Sequence, residues 1–326
     1  MKSTAKLKFN AVLLCAVSLC ILSLLFAKVG FAKGNGIMDA FEAKKVAEYS
    51  WVVFGPLTPP NPQNKGFMNN PLFTITDKSV IVIDPGSSLQ VGEALLEKIK
   101  KQTDKPVTHV FNSHVHGDHW LGNQAIKNAY PDVKIYAHPV MIEEAKAGEA
   151  ESWINLMHNL TEGATDGTEA VIASITLENE QEVKVDNITI KAYLSEIAHT
   201  KTDAMFVIVE DKVLVTGDNN FNQRMPRLDD GSFPGNIKVL EDAMKLDVDV
   251  VIPGHGPSGG KEVLSNFRDF LSIIYETSKE MLDDDAEAFE MKPVIVEKLA
   301  KYKDWESFDD TIGKLISIAV LEAENE

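Results

Sequence analysis

The sequence predicts an α/β fold in which two mixed β-sheets pack face to face and helices cover their outer faces. Each half of the chain carries hairpin-type strands followed by strands that alternate with helices. Several strands end in histidine or aspartate beside glycine, which places polar groups at the carboxyl ends of strands. Apolar residues make up 44% and charged residues 25% of the 326 residues, so the chain can form an ordinary globular core.

The first 32 residues differ in composition from the rest and are predicted to be a signal peptide or an N-terminal membrane anchor. Three lysines precede an almost wholly apolar run, Ala11 to Phe26. This run is short for a spanning helix and long enough for an export signal, and the small residues Gly30 and Ala32 place the expected cleavage after Ala32. The sequence therefore predicts an exported protein, periplasmic or secreted. The alternative is a protein that the uncleaved segment anchors in the membrane.

Cysteine usage and charge restrict the chemistry of the mature chain. Both cysteines lie in the leader, so the remainder has no disulfide, no thiol nucleophile and no thiolate ligand. A metal site must then use histidine, aspartate or glutamate. The net charge of −17 argues against nucleic acid as a partner, because phosphates would be repelled. The expected partner is a small-molecule substrate.

Periodicity and turn residues predict the elements of the first half. Residues 33–45 are polar and are expected to be loose or helical. Strands are predicted at Tyr49–Phe54, Leu72–Thr76, Ser79–Ile83, Pro106–Phe111 and Val133–Ala137, and helices at Ser88–Lys101, Trp120–Ala129 and Val140–Glu162. Four prolines between Pro56 and Pro62 remove backbone donors, so this segment is a loop that either borders the substrate or only connects two strands.

The second half is predicted to be strand-rich and then helical. Strands are expected at Ile172–Leu177, Gln181–Val185, Ile188–Leu194, Met205–Glu210, Val213–Thr216 and Val248–Ile252, with a helix at Asn236–Lys245. After Lys261 the pattern is helical to the end, and two apolar stripes, one from Val263 and one from Ile312, are typical of core-facing helices.

The segment from His114 to His119 holds three histidines and one aspartate within six residues: His114, His116, Asp118 and His119. Imidazole and carboxylate suit zinc and its first-row neighbours. The segment lies on a predicted turn from a strand into a helix. On such a turn His114 and His116 can point one way and Asp118 and His119 another, which makes two adjacent metal pockets possible. The alternative is a polar surface loop.

Three further strands lead to His199, Asp218 and His255, with glycine beside the last two. Glycine allows a tight turn and a close approach of the backbone. Because sites in α/β sheets form at the carboxyl ends of strands, these residues and the His114–His119 segment are expected to face one crevice. The remaining histidines are predicted to be structural: His109, His138 and His158.

Four segments together resemble the metallo-β-lactamase superfamily of metallohydrolases: His114-x-His116-x-Asp118-His119, Ala198-His199-Thr200, Thr216-Gly217-Asp218 and Pro253-Gly254-His255-Gly256. The resemblance runs from about residue 49 to 260 and implies the four-layer αββα fold. It implies a first metal on His114, His116 and His199, and a second on Asp118, His119 and His255, with Asp218 as the bridge. Two zinc ions are expected, and iron or manganese are the alternatives.

The bridging aspartate resembles the glyoxalase II type, whereas the best-known zinc β-lactamases have a cysteine near that position. This difference argues against a dedicated β-lactamase role. By position, residues 33–260 would form the metallo-β-lactamase-fold domain. Residues 261–326 would form a C-terminal helical extension that packs over the site or mediates a homodimer.

The expected function is an exported dinuclear zinc hydrolase that uses a metal-bound hydroxide on a small ester, thioester, lactone or lactam. Asp118 is the expected catalytic residue, because it can orient the nucleophile and move a proton. One alternative is an iron-dependent sulfur dioxygenase or another redox enzyme on the same fold, and the other is a metal-binding protein without turnover. His116 favours the hydrolase over diiron oxidoreductases, whose pattern typically has glutamate there. The cavity walls are expected to include Trp51, Trp120 and Trp153.

Overall fold

The structure, a computed structural model, describes residues 36–325. The predicted leader, residues 1–32, lies outside the described residues. Within the described part, no helix has both the length and the apolar character needed to cross a membrane.

Within residues 36–325, seven strands form the first sheet, and they follow one another in chain order across it. They are β1 (Ala43–Lys45), β2 (Ser50–Val53), β3 (Leu72–Ile75), β4 (Val80–Ile83), β5 (Val107–Phe111), β6 (Lys134–Ala137) and β7 (Ile175–Thr176). Strands β1 to β4 pair antiparallel, whereas β4 to β7 pair parallel. The sheet is therefore mixed, as predicted.

Residues 33–45 were expected to be loose or helical, and strand β1 corrects this expectation for the last three of them, Ala43–Lys45. Its three residues pair antiparallel with β2, in the register Ala43 to Val53 and Lys45 to Trp51. The strand is short, polar and at the edge of the sheet, where lysines are common. Its pairing comes from a neighbouring strand, so no apolar alternation in the segment itself could indicate it.

In the described part of the chain, five strands form the second sheet in the order β12-β11-β10-β9-β8. They are β8 (Glu182–Val185), β9 (Ile188–Leu194), β10 (Ala204–Ile208), β11 (Val213–Val215) and β12 (Val250–Ile252). Strands β8 to β11 pair antiparallel, and β11 pairs parallel with β12. Both sheets contribute to one buried apolar layer that includes Ile81, Phe111, Ile190, Phe206 and Ile252, so the sheets pack face to face.

The described helices form two outer layers. They are α1 (Leu89–Gln102), α2 (Gly117–Trp120), α3 (Asn123–Ala129), α4 (Pro139–Glu144), α5 (Ala150–Leu160), α6 (Phe233–Ala243), α7 (Glu262–Asp283), α8 (Ala288–Lys298) and α9 (Phe308–Ala323). Helices α1 to α5 cover the first sheet, and α6 to α9 cover the second. The four-layer αββα architecture that the sequence predicts is confirmed.

Glycines divide two of the predicted helices. The expected helix Val140–Glu162 is broken at Gly148, whose φ of 135° no L-residue in a helix adopts. The expected helix Trp120–Ala129 starts earlier, at Gly117, and is interrupted before Asn123. Gly122 packs so close to Pro85 that an added Cβ would lie 2.5 Å from its carbonyl oxygen. A close packing contact therefore accompanies the interruption at Gly122, whereas the break at Gly148 is a backbone angle, since an added Cβ there would meet nothing within 4 Å.

Candidate metal centre

The strand ends that carry the predicted ligands meet at one edge of the sandwich. In the first sheet, the His114–His119 segment follows β5. In the second, His199 follows β9, Asp218 follows β11 and His255 follows β12, and these three strands run in the same direction. Backbone hydrogen bonds join the two sheets here, from Asn70 N to Gly254 O at 3.0 Å and from Ala204 N to Ser113 O at 2.7 Å.

The seven predicted residues form two groups, each of which offers four ligand atoms within 4.8 Å of one another. The first group consists of His114, His116, His199 and Asp218, and the second consists of Asp118, His119, Asp218 and His255. All of these residues are buried. The turn between β5 and α2 produces this division, which is the one that the sequence pattern predicts.

Asp218 belongs to both groups because its two carboxylate oxygens face different ways. Its Oδ2 lies 3.6 Å from His199 Nε2 and 3.9 Å from His114 Nε2. Its Oδ1 lies 3.0 Å from His119 Nε2 and 3.3 Å from His255 Nε2. A carboxylate with one oxygen toward each group has the geometry of a bridging ligand.

The donor set fits metal ions. Several buried atoms have no hydrogen-bond partner within residues 36–325, and among them are His114 Nε2, His119 Nε2 and Asp218 Oδ1 of the two groups. His119 Nε2 and Asp218 Oδ1 lie only 3.0 Å apart without the alignment of a hydrogen bond. Buried polar atoms without partners are costly, so their convergence on shared points indicates a ligand that satisfies them. Groups of four imidazole and carboxylate ligand atoms suit zinc, iron or manganese.

Gly254 gives Asp218 the space that this position requires. A Cβ on Gly254 would lie 2.0 Å from Asp218 Oδ1 and 2.9 Å from the backbone of Gly217. Gly254 N also donates to Gly217 O at 2.9 Å, which joins the turn after β12 to the turn after β11. Glycine beside the ligand is therefore required by the close approach of the two turns.

Further polar groups orient the imidazoles. His119 Nδ1 lies 2.9 Å from Asp84 Oδ2, and Asp84 also accepts hydrogen bonds from Ser113 N and Ser113 Oγ. His116 Nε2 lies 3.2 Å from Asp230 Oδ2. Such contacts fix the ring that presents its other nitrogen to a metal.

Asp84 and Asp230 are functional residues that were not predicted from the sequence. Asp84 follows β4, which is parallel to β5, so its place at a neighbouring strand end was an available signal. Asp230 lies in a loop, and no local pattern indicated it.

The pKa values of the histidines differ in direction between the two groups. Burial, reinforced by the neighbouring imidazoles, lowers the pKa of His114 well below its ordinary value, and burial lowers the pKa of His199 to about 3. In the second group, burial alone would lower the pKa of His119, but the adjacent carboxylates raise it well above its ordinary value. The pKa of His255 is raised in the same way, against the effect of burial.

A cavity of about 670 Å³ opens above both groups, and His116, Asp118, Asp218 and His255 form part of its floor. Its walls are largely apolar and include Pro59, Pro60, Met68, Trp153, Phe221 and Ile318. The proline-rich loop therefore borders the cavity, and α9 contributes to the wall as well. This volume suits a small molecule.

Of the three tryptophans expected in the wall, only Trp153 lines the cavity. Trp120 is fully buried in the core, where its indole N–H donates to Val115 O at 2.8 Å, so its expected place in the wall was wrong. Trp51 stacks on Phe73 in the first sheet, away from the site.

The three histidines predicted to be structural lie outside both groups. His109 Nδ1 contacts Thr108 Oγ1, and His138 accepts a hydrogen bond from Val140 N. His158 pairs with Asp166 on the surface.

Sequence comparison places these observations in a known family. The model of the metallo-β-lactamase superfamily matches residues 65–255. A probable metallo-hydrolase of Streptococcus pyogenes is 27% identical over 200 residues, which are 58% of this chain and 79% of the relative. A probable metallo-hydrolase of Methanocaldococcus jannaschii is 25% identical over 214 residues, which are 63% of this chain and 96% of the relative.

Solved structures share the fold. A metallo-β-lactamase from Pontibacter korlensis superposes with a TM-score of 0.58 at 17% identity, over 71% of this chain and 99% of that one. A double mutant of the sec-alkyl sulfatase PisA1 superposes with a TM-score of 0.62 at 18% identity, over 77% of this chain and 44% of that one. The four layers, the two ligand groups and the family match agree: the chain belongs to the metallo-β-lactamase superfamily and is a metal-dependent hydrolase.

Proposed function

We propose that this protein is an exported dinuclear zinc hydrolase that acts on a small ester, thioester, lactone or lactam. The main observation behind the proposal is that the two carboxylate oxygens of Asp218 face two different groups of buried ligand atoms. Because Oδ1 faces one group and Oδ2 faces the other, a single metal in either group would contact only the oxygen on its side. The cavity above the groups has the size of a small-molecule site. Residues 33–326 contain no cysteine, so this part of the chain offers no thiol nucleophile.

The roles of the residues follow from their positions. Zinc ions held by the two groups would lower the pKa of a water molecule and polarise the substrate carbonyl. Asp118 faces the cavity floor, and its Oδ2 lies 3.4 Å from His119 Nε2 and 3.2 Å from His255 Nε2. Burial would raise the pKa of Asp118, but His119 and His255 hold it well below its ordinary value. Asp118 is thus ionised at neutral pH and can orient an attacking water and accept its proton.

The metal count tests the dinuclear site. Elemental analysis after mild purification should find two zinc ions per chain, and Asp218→Ala should retain one or none. Asp242→Ala is a matched control, because Asp242 pairs with Lys238 on the surface of α6. Two tightly bound metals in Asp218→Ala would contradict the bridging role. One metal in the parent protein, or iron as its native metal, would contradict the dinuclear zinc site.

Activity tests the reaction class. A panel of chromogenic esters, thioesters, lactones and lactams should contain at least one substrate. A chelator should abolish turnover, added zinc should restore it, and a serine-directed covalent inhibitor should have no effect. A covalent acyl-enzyme detected by mass spectrometry would contradict hydrolysis by an activated water.

Export is part of the proposal and rests on the composition of residues 1–32. We expect N-terminal sequencing of the mature protein, expressed with its full chain, to begin at Lys33 or a close neighbour. A soluble, full-length protein that stays in the cytoplasm would contradict export. A full-length protein in the membrane fraction would support the anchored alternative.

A further inference from the structure

His199 differs from the other four candidate histidine ligands in how its ring is held. Each of those four has a hydrogen-bonding contact at the ring nitrogen that is not directed to its group: His114 with Ser113 Oγ, His116 with Asp230, His119 with Asp84 and His255 with Met68 O. His199 directs Nε2 to the first group, and its buried Nδ1 has no hydrogen-bond partner within residues 36–325. The position of this imidazole must therefore be set by packing and by the backbone that carries it.

A buried carboxylate holds that backbone. Asp203 Oδ2 accepts a hydrogen bond from Thr200 N at 2.7 Å, and Asp203 Oδ1 accepts one from Thr200 Oγ1 at 2.8 Å. Both residues are buried, and a carboxylate in such a place is costly unless hydrogen bonds satisfy it. Because Thr200 directly follows His199, these two bonds close a tight turn at the candidate ligand.

Thr202 extends this arrangement into a chain of hydrogen bonds. Thr200 Oγ1 accepts from Thr202 N at 3.0 Å and lies 2.8 Å from Thr202 Oγ1, which in turn accepts from Val115 N at 3.0 Å. A hydroxyl has one hydrogen to donate, and Thr200 donates its own to Asp203, so Thr202 donates to Thr200. The chain therefore runs in one direction, from Val115 N through two buried hydroxyls to the carboxylate of Asp203.

The chain joins the segments that supply the histidines of the first group. Val115 lies between His114 and His116, which follow β5 of the first sheet, whereas Thr202 lies between His199 and β10 of the second sheet. A backbone bond from Ala204 N to Ser113 O, at 2.7 Å, runs beside it. The hydrogen-bond chain thus fixes the spacing of the three imidazoles, although none of its side chains belongs to either ligand group.

We propose that Thr202 and Asp203 are positioning residues of the first metal site, which hold the His199 imidazole beside His114 and His116 through the hydrogen-bond chain that begins at Val115 N. This inference rests on the proposed dinuclear site and goes beyond the reaction assigned to it. A break in the chain would let the His199 turn relax and leave the second group intact.

Zinc binding to the metal-free protein tests the inference without turnover. Competition with a chromogenic chelator gives the Kd of each equivalent, and His199→Ala identifies the equivalent that belongs to the first group. Thr202→Val keeps the shape of the side chain and removes its hydroxyl. We expect it to weaken that equivalent about tenfold or more, the range typical of groups that orient metal ligands, and to leave the other equivalent unchanged.

Two further variants follow the chain. Asp203→Asn replaces one of the two acceptors by a donor and should weaken the same equivalent, whereas Thr202→Ser restores the hydroxyl and should recover the parental Kd. The titrations are run at pH 8, because burial raises the pKa of Asp203 to about 7 and the carboxylate is ionised above that value.

Cobalt in place of zinc separates positioning from a loss of stability. The visible absorption bands of Co²⁺ depend on its coordination geometry, so Thr202→Val should shift the bands of the first group and Thr202→Ser should restore them. Thr277→Val is the matched control, because Thr277 is also buried and its Oγ1 accepts from Lys298 Nζ at 2.9 Å, but it belongs to neither ligand group. It should bind both metals with the parental Kd values and spectrum.

Parental zinc affinity and cobalt bands in Thr202→Val and Asp203→Asn would overturn the inference. So would a Thr202→Ser protein that binds as weakly as Thr202→Val, or an equal weakening of both equivalents. If Thr202→Val did not fold, Asp203→Asn would be judged by the same two measurements. If the parent bound only one metal, the dinuclear function would fail, and the positioning role would be judged on the metal that His199→Ala removes.

Discussion

The two ligand groups differ in protonation when no metal is bound, and this difference predicts how they load. The pKa values of His114 and His199 are lowered, so both are neutral at pH 7 and ready to bind. The pKa values of His119 and His255 are raised, so both must release protons before a metal can bind. The zinc affinity of the first group should therefore depend little on pH, whereas the zinc affinity of the second group should rise with pH.

Calorimetry in buffers of different ionisation enthalpy measures these protons. We expect the second equivalent of zinc to release more protons than the first at pH 7, and its affinity to fall as the pH drops from 8 to 6. Equal proton release for both equivalents would contradict the assignment of the raised pKa values to the second group. The sign follows from the ligand chemistry, because only neutral imidazole binds a metal.

The role of Asp118 is tested by Asp118→Asn. The amide cannot accept a proton, so we expect kcat to fall by about two orders of magnitude or more. The first group should keep its metal, because it does not include Asp118. Asp166→Asn, at an exposed aspartate outside the cavity, should keep full activity. An Asp118→Asn protein with parental kcat would show that the proton goes elsewhere.

The grouping of the candidate ligands could be predicted from the sequence, whereas the residues that contact them could not. His199, Asp218 and His255 each follow a strand, and glycine beside two of them gave a local signal. Arg224 and Asp230 lie in a loop without periodicity, and their roles depend on how that loop folds back over the centre. Their contacts with His255 and His116 exist only in three dimensions.

At the scale of elements, the turns after β11 and β12 act as one unit. Gly254 lies against Asp218 and Gly217, so Gly254→Ala would force a Cβ into space that the bridging carboxylate occupies. We expect this variant to lose one zinc ion per chain and most of its activity, while its far-UV circular dichroism stays that of the parent. The measurements are metal content and kcat.

Gly313→Ala is the matched control for that substitution. Gly313 lies within α9, and an added Cβ would meet only Lys292 Nζ at 3.4 Å. Alanine favours a helix by about 1 kcal/mol relative to glycine, so this variant should bind two metals and unfold at a slightly higher temperature. A Gly254→Ala protein that behaved like Gly313→Ala would show that the contact with Asp218 can relax.

The bounds of most strands and helices could be predicted to within a few residues. Strong apolar runs in strands and apolar stripes in helices are patterns of the local sequence, so they can be recognised without the tertiary structure. Helix α1 begins after Ser88, whose side chain accepts a hydrogen bond from Val91 N as a cap should. The predictions were wrong where contacts between distant residues determine the secondary structure: β1 pairs with β2, and Gly122 packs against Pro85. The break at Gly148 reflects a backbone angle that the apolar pattern does not reveal.

At the scale of the whole molecule, the candidate metal centre lies at the edge of the sandwich where the two sheets meet, and both sheets supply its residues. The first sheet supplies the His114–His119 segment, and the second supplies His199, Asp218 and His255. Each group takes ligands from both sheets, so bound metals would cross-link the two halves of the sandwich. Metal that binds only the folded state stabilises it by mass action, by about 4 kcal/mol per site when free metal exceeds Kd a thousandfold.

Removal of the metals should therefore lower the stability of the whole chain. We expect a chelator to lower the unfolding temperature at pH 7 by at least about 5 °C, since 1 kcal/mol corresponds to roughly 2–4 °C in a protein of this size. Differential scanning calorimetry of the zinc-loaded and chelated protein measures the difference. An unchanged unfolding temperature would show that the centre does not link the sheets energetically.

The difference in unfolding temperature between the zinc-loaded and the chelated protein should increase with pH, because the metal-free protein loses stability as the pH rises. There, protonated His119 and His255 pair with the ionised carboxylates of Asp118 and Asp218. A histidine whose folded pKa is raised contributes stability that is fully present below its unfolded pKa near 6.5 and is lost as the pH rises through the folded value. The chelated protein should thus lose stability from pH 6.5 upward, while bound zinc replaces those protons. The gap between the two unfolding temperatures should be wider at pH 8.5 than at pH 6, and a constant gap would show that the protons of the second group do not stabilise the metal-free fold.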